Sequence, residues 1–285
     1  MYPYLTESAI QEFIKSALAE DIGEGDHSTL ASVPKDFIGK AQLLVKDEGI
    51  IAGIALAEKI FHHVDSTLTI EFNIKDGDAV KKGDVAFFVS GPSRSILSSE
   101  RLVLNCMQRM SAIATYTHKL CKLIEGTSAK LMDTRKTTPN FRLMEKWAVA
   151  IGGGMNHRFA LYDMVMLKDN HIDMAGGIRK AIESTKNYLA TRDKKLKIEV
   201  ETRNLAEIEE VLAVGGIDVI MLDNMNIDEM KKAVHLIGGK YKTEASGGIT
   251  ESTLRAVAES GVDYISVGAL THSVKNLDLS LKVMK

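Results

Sequence analysis

Four stretches decide the fold: Lys197-Ile-Glu-Val-Glu201, Val219-Ile-Met-Leu-Asp-Asn224, Thr243-Glu-Ala-Ser-Gly-Gly248 and Tyr264-Ile-Ser-Val-Gly-Ala269. Each is a short apolar run that closes on a polar or glycine-rich signature. Glu201, Asp223, Ser246 and Gly268 follow one another at intervals of 22 or 23 residues. That length fits one strand, one helix and two loops, which is a βα unit. The segments between carry helical periodicity, as in Leu205, Ile208, Val211 and Leu212. Two earlier runs, Lys130-Leu-Met-Asp-Thr-Arg-Lys136 and Met164-Val-Met-Leu-Lys-Asp-Asn170, end in the same way. Six units are legible, which predicts an incomplete TIM-type α/β barrel or, with one more unit, a seven-unit barrel. Such a barrel gathers its polar strand-end residues at one mouth.

The first part of the chain reads differently. Residues 5–20 have the spacing of an amphipathic helix, with Ile10, Phe13, Ile14, Ala17 and Leu18 on one face and Gly23 just beyond. Residues 37–97 read as mostly strand and turn, and residues 99–125 as a second, long helix. Along that helix Leu102, Cys106, Met110, Ile113, Thr117, Leu120 and Ile124 recur three or four apart, so Cys106 and Cys121 read as small core residues. The stretch Asp76-Gly-Asp-Ala-Val-Lys-Lys-Gly-Asp84 resembles the turn region of biotinyl/lipoyl-type domains. No hairpin there carries an attachment lysine, so a structural sandwich is expected.

Composition narrows the function classes. The 285 residues are 45% hydrophobic and 26% charged, which suits a folded globular chain and excludes a disordered one. A net charge of −2 gives no global basic field for nucleic acid or a membrane surface, so an anion site has to be local. No apolar run reaches the ~20 residues of a membrane span. Met1-Tyr-Pro-Tyr4 lacks the pattern of a signal peptide, and two cysteines are too few for a disulfide framework, so a cytoplasmic location is expected.

The expected mouth has two halves. Arg135, Lys136, Arg158 and Lys168, with His157 beside them, form a cationic half. Crowded cations repel one another, so an anion of comparable charge is expected there, and arginines suit carboxylate or phosphate oxygens. Glu201 and Asp223 form an acidic half, which suits a hydrated divalent ion or ribose hydroxyls beside a developing cation. Gly247, Gly248 and Gly268 let backbone N–H groups approach a phosphate. Together these features predict a polyanionic phosphosugar substrate and a divalent metal. No Ser–His–Asp or Cys–His arrangement and no dinucleotide or Walker pattern is present. Gly152-Gly-Gly154 is read as a close backbone approach to a ligand or a neighbouring loop.

Asp133-Thr-Arg-Lys-Thr-Thr-Pro139, Gly152-Gly-Gly-Met-Asn-His-Arg158, Lys168-Asp-Asn-His171, Glu201, Asp223-Asn224, Ser246-Gly-Gly248 and Gly268-Ala-Leu270 together resemble the quinolinate phosphoribosyltransferases. These are pentosyltransferases, the nicotinate-nucleotide pyrophosphorylases (carboxylating) of NAD biosynthesis. The likeness runs over almost the whole chain, including Glu100-Arg-Leu-Val-Leu-Asn105. Ala112 departs from it, standing where the family commonly has glycine, and the loop 213–218 is one residue longer.

The resemblance implies an N-terminal α/β sandwich domain over 1–110, an α/β barrel catalytic domain over 111–271, and a tail, 272–285, that packs back on the first domain. It implies at least a homodimer, with the small-molecule substrates quinolinate and 5-phosphoribosyl-1-pyrophosphate and with Mg2+. By motif match, Arg135, Arg158 and Lys168 hold the quinolinate carboxylates, with His157 nearby and Arg101 entering from the neighbouring subunit. Lys136, Glu201 and Asp223 are the implied catalytic groups. They bind the phosphoribosyl donor together with Asn224, Ser246, Gly247, Gly248, Gly268, Ala269 and Leu270. Glu201 and Asp223 are also the implied metal residues, through substrate and water.

The implied reaction yields nicotinate mononucleotide, pyrophosphate and carbon dioxide. Three rivals remain at this level: a paralogue acting on another heterocyclic acid, a catalytically silent phosphosugar-binding barrel, and an aldolase-type barrel using Lys168.

Overall fold

The computed structural model describes residues 3–284; Met1, Tyr2 and Lys285, at the ends of the expected sandwich and tail, lie outside the described residues. The chain divides into two compact units, residues 1–118, 137–153 and 270–285 in one and 119–136 and 154–269 in the other. This differs from contiguous halves at 1–110 and 111–271, because 137–153 clusters with the first unit.

In the first unit, helix α1 (Glu7–Ile22) starts where the Thr6 hydroxyl accepts the Ala9 N–H, and Ile10 and Ile14 are its buried residues. A short helix, α2 (His27–Ser32), follows. Strands β1 (Ile38–Val45) and β2 (Gly49–Ile50) lead into α3 (Ile54–Val64). Strands β3 (Thr69–Phe72), β4 (Ala79–Val80) and β5 (Val85–Pro92) complete the region expected to be strand and turn.

Helix α3 was not expected there. It buries Ile54, Leu56, Ala57, Ile60 and Phe61, but it carries no cap of its own. Its N-cap is Gly53, and the Asp76 carboxylate, from a distant turn, accepts the Ile54 and Ala55 N–H groups at 2.8 and 3.2 Å. That same turn region is built twice. Asp78 accepts the Lys75 N–H and Asp84 accepts the Lys81 N–H, each beside a positive-φ glycine, Gly77 and Gly83.

Helix α4 (Ser93–Leu123) is the long helix, and all seven residues of its expected stripe are buried. Burial also pushes the Cys106 thiol up to about 12, which fits an inert core residue. Ala112 sits buried in α4 at 5% exposure. Strand β6 (Lys130–Met132) belongs to the second unit, and α5 (Arg142–Ile151) returns to the first. A Cβ at Gly152 would stand 2.5 Å from the Ala114 carbonyl oxygen, so the glycine serves the contact of α5 with α4. Across that contact Arg109 donates to the fully buried Glu145 at 2.9 and 3.0 Å.

The second unit continues with β7 (Val165–Leu167), α6 (Asp169–Ala175), α7 (Ile178–Thr191), β8 (Ile198–Thr202), α8 (Leu205–Val214), β9 (Val219–Asp223), α9 (Ile227–Ile237), β10 (Lys242–Ser246), α10 (Glu251–Ala258) and β11 (Tyr264–Ser266). Its six strands form one parallel sheet in the order β6-β11-β10-β9-β8-β7. Among the described residues the β6 and β7 edges do not pair with each other, and an isolated bridge, Met132 to Met155, extends the β6 side. This is the incomplete barrel. All five residues of β8 are buried, as a parallel strand covered on both faces requires. Asp218 and Asp263 begin equivalent strands and accept the Ile198 and Thr243 N–H groups at 2.8 and 2.9 Å. Gly-Ile-Asp218-Val-Ile and Gly-Val-Asp263-Tyr-Ile are thus one repeated device.

After α11 (Ala269–His272), β12 (Leu279–Val283) pairs antiparallel with β1 in the first unit. The sheet there runs β12-β1-β5-β3. Among the described residues no helix is long and apolar enough to cross a membrane.

Candidate active site

Parallel register brings the strand ends together. Ser246 pairs with Asp223, Thr202 with Leu222, Leu167 with Val200, and Ser266 with Met132. Lys168 follows Leu167 directly, Gly268 lies two residues past Ser266, and Arg135 and Lys136 lie three and four past Met132. The second unit therefore collects Arg135, Lys136, His157, Arg158, Lys168, Glu201, Asp223, Asn224, Ser246, Gly247, Gly248, Gly268 and Ala269 around the carboxyl end of its sheet. Leu270 is buried in α11, and Arg101 is exposed on α4 in the first unit.

The cationic half is close-knit. Arg158 is half-buried, and burial and the Arg135 charge lower its pKa, while Glu199 and Asp163 pull it back up. Its guanidinium donates to the Met164 carbonyl at 3.0 Å. Lys168 caps α6, and its backbone N–H donates to His171 Nδ1 at 3.0 Å. The Lys168 side chain is exposed, not held in the apolar setting that a Schiff-base lysine needs, so the aldolase-type reading finds no support.

The acidic half shows mutual repulsion. Burial, then the Asp223 charge, raise Glu201 above the ordinary carboxylate range, and the Asp169 N–H, 3.4 Å from Oε1, works against them. Two hard oxygen donors that repel in this way suit a hydrated Mg2+ or sugar hydroxyls. Beside them, Gly247 adopts φ +90° and Gly248 φ +61°, which glycine permits. A Cβ on Gly247 would fall 2.3 Å from Asn224 Oδ1. Asn224 itself has φ +53°, with its N–H on the Ser246 carbonyl and its amide donating to Asp223 Oδ2 at 2.7 Å. The result is an open cradle of backbone next to a carboxylate.

The structure turns the expected ligand His157 inward. Its side chain is 6% exposed. Nε2 lies 2.9 Å from Glu199 and 3.3 Å from Glu244, and Nδ1 accepts the Arg158 N–H at 2.6 Å. Both ring nitrogens are thus engaged by the protein, so a direct contact with a quinolinate carboxylate is not available in this arrangement.

Burial disfavours a charged ring, but hydrogen bonds to Glu199 and Glu244 and their charges outweigh it and push His157 up to about 10. Burial and Glu244 likewise push Glu199 up to about 7. The Nε2 proton is directed at Glu199. These three ligand-type atoms lie within 4.8 Å of one another, but the 2.9 Å contact is a hydrogen bond rather than a metal-bridged pair.

Sequence reasoning missed three buried acids: Asp133, Glu199 and Glu244, exposed by 0%, 0% and 1%. Asp133 accepts from Asn156 Nδ2 at 2.6 Å and from the His157 N–H at 2.9 Å, which ties the β6 end to the loop that carries Arg158. The signal for the glutamates was a period of two. Glu199 precedes Glu201, and Glu244 precedes Ser246, on the same strand faces.

Comparison with known proteins agrees with this architecture. The family model for the quinolinate phosphoribosyl transferase C-terminal domain matches residues 113–282, and that for the N-terminal domain matches 26–111. The chain is 48% identical to the chloroplastic nicotinate-nucleotide pyrophosphorylase [carboxylating] of Arabidopsis thaliana, covering 96% of this chain and 82% of the relative. It is 47% identical to the mitochondrial quinolinate phosphoribosyltransferase [decarboxylating] 2b of Nicotiana tabacum, with the same coverage. The crystal structure of NadC from Streptococcus pyogenes superposes with a TM-score of 0.91 at 40% identity, covering 99% of both chains. The organellar names of the plant relatives overturn the expected cytoplasmic location, because a globular composition with few cysteines is common to all these compartments. With its two domain models and its near-full-length relatives, the chain belongs to the quinolinate phosphoribosyltransferase family.

Proposed function

We infer that the chain transfers phosphoribosyl from 5-phosphoribosyl-1-pyrophosphate to quinolinate, with decarboxylation, to give nicotinate mononucleotide in de novo NAD biosynthesis. The observation that carries this is the division of one sheet end into a cationic half and an acidic half with a glycine cradle between its strands. Quinolinate brings two adjacent carboxylates, and Arg135, Arg158 and Lys168 answer them. Lys136 faces the pyrophosphate. Glu201 and Asp223 hold the ribose hydroxyls. Ser246, Gly247, Gly248 and Gly268 offer the backbone to the 5-phosphate.

The pyridine nitrogen is the nucleophile, so the protein supplies alignment and charge rather than a nucleophile of its own. As pyrophosphate leaves, C1 of the ribose gains positive character, and the two carboxylates lie where that charge develops. Mg2+, held by Glu201 and Asp223 through substrate and water, would stabilise the leaving pyrophosphate. Once glycosylated, the ring nitrogen is cationic; the C2–carboxylate bond then breaks to release carbon dioxide, the electron pair stays on C2 where the adjacent positive nitrogen stabilises it, and C2 takes up a proton from water to give nicotinate mononucleotide.

Incubation with quinolinate, the phosphoribosyl donor and Mg2+ tests the reading. Nicotinate mononucleotide and carbon dioxide are expected; pyrophosphate release with nicotinate but not quinolinate would indicate a paralogous specificity, and no release at all a silent barrel. A homodimer is part of the same reading, with Arg101 of the partner subunit completing the quinolinate site. Mixing Arg101→Ala with Lys136→Ala should then restore part of the activity. If subunit exchange restores none, the site is built within one chain.

A further inference from the structure

We propose that Glu199 and Glu244 are positioning residues for quinolinate, acting through His157 on the backbone of Arg158 without touching substrate themselves. This rests on the quinolinate reading and deepens it.

The two carboxylates sit one inward step before Glu201 and Ser246 on β8 and β10, and both turn an Oε2 toward His157 Nε2, at 2.9 and 3.3 Å. They are 0% and 1% exposed. Among the described residues the other oxygen of each, Oε1, has no hydrogen-bond partner. Two buried carboxylates with unsatisfied oxygens are a costly way to fill a barrel interior, and apolar residues of similar volume are often as stable or more so. Stability alone does not account for them, whereas placement of the histidine does.

His157 is held from three directions. Its N–H reaches Asp133 Oδ1 at 2.9 Å, Nε2 reaches the glutamates, and Nδ1 accepts the Arg158 N–H at 2.6 Å. The ring is therefore a strut from the barrel interior to the backbone of an arginine in the cationic half. Glu199 also attracts the Arg158 guanidinium, which Arg135 repels. Loss of either glutamate frees the ring, the Arg158 backbone drifts, and a drift of about 1 Å in a substrate-holding group is enough to lose binding.

The test starts with wild-type protein forming nicotinate mononucleotide; if it forms none, the quinolinate reading itself falls. Given activity, Glu199→Gln and Glu244→Gln keep the shape and drop the charge. Each should raise the quinolinate KM about 10-fold and leave the donor KM within about twofold. Glu244→Gln, at the longer contact, carries the test if Glu199→Gln proves unstable. The double variant Glu199→Gln/His157→Asn should be no more than about twofold worse than its worse parent, since both break one strut.

The order of the histidine variants is a second readout. Asparagine places an acceptor near the Nδ1 position and keeps the Arg158 N–H bound, so His157→Asn should outperform His157→Gln. A histidine that touches substrate through Nε2 gives the reverse order, because glutamine reaches that position. The reverse order, multiplicative effects in the double variant, or unchanged quinolinate KM in both glutamate variants would overturn the proposal.

Discussion

Replacing Gly247 by alanine isolates the donor end of the site. The new Cβ would stand 2.3 Å from Asn224 Oδ1 and 2.5 Å from its Cγ, inside any real contact distance. The obstructing atoms are the end of a side chain on an exposed residue, so the Asn224 amide swings aside and the strands stay in place. That movement breaks its 2.7 Å hydrogen bond to Asp223 Oδ2. It also tilts the carboxylate proposed to hold ribose. Alanine at φ +90° adds a backbone cost of about 1–2 kcal/mol, and the lost hydrogen bond about 1 kcal/mol. If about 2 kcal/mol of this appears in binding, the KM for the phosphoribosyl donor rises about 30-fold. The quinolinate KM stays near its wild-type value, because Arg135 and Arg158 belong to other strand ends. Steady-state kinetics with each substrate varied in turn reads both constants, and a melting curve confirms folding. A folded Gly247→Ala enzyme with a donor KM within twofold of wild type would refute the assignment of this turn to the phosphoribosyl donor.

Arg135→Ala should lower kcat/KM for quinolinate by about 10²-fold or more, or ~3 kcal/mol, as loss of a charge-assisted anion contact demands; near-normal kinetics would remove Arg135 from the carboxylate site. Asp76→Ala leaves the Ile54 and Ala55 N–H groups of α3 uncapped and should cost about 1–2 kcal/mol in urea unfolding, while Asp76→Asn, which keeps one acceptor, should cost less. Asp65 accepts from Thr67 N and Oγ1 and from Ser95 Oγ, and these bonds, led by the Thr67 hydroxyl, hold its carboxyl below the usual 3.8. A depressed carboxylate contributes stability above its unfolded value and loses it as pH falls through the folded one. Asp65→Asn should therefore melt below wild type at neutral pH, and the gap should close as pH drops below 3.8; a gap that is constant with pH would count against that carboxylate.

The barrel was legible because its strands are buried on both faces and end at regular intervals, so apolar runs and polar stops repeat in the sequence. Glu201, Asp223, Ser246 and Gly268 could be placed on one sheet end from that spacing, and Arg135 and Lys168 from the polar ends of two earlier apolar runs. Helix α3 was not legible, since its start depends on a carboxylate more than twenty residues away instead of a local capping residue. The Gly152 contact was half legible: glycine signals close approach, but only the fold shows that the neighbour is the α4 backbone. His157 was misplaced for a related reason. A histidine next to an arginine in a cationic run looks like a fellow ligand, and the residues that turn it inward lie on β8 and β10, far along the chain.

Those residues change the electrostatics of the mouth. Clustered cations alone would be tolerable only with substrate anions bound between them. The protein instead keeps Asp133, Glu199 and Glu244 beneath the cations, each almost wholly sealed from solvent. Asp133 fastens the loop that brings Arg158 beside the Arg135 segment, and Glu199 offsets part of the repulsion between the two guanidinium groups. At 0% to 1% exposure these acids present no accessible oxygen to an incoming carboxylate, so they stabilise the cations without competing for the ligand. A surface that is positive where substrate arrives, above acids it cannot reach, can fold before quinolinate binds and still attract it. The pocket therefore does not need its substrates in order to exist.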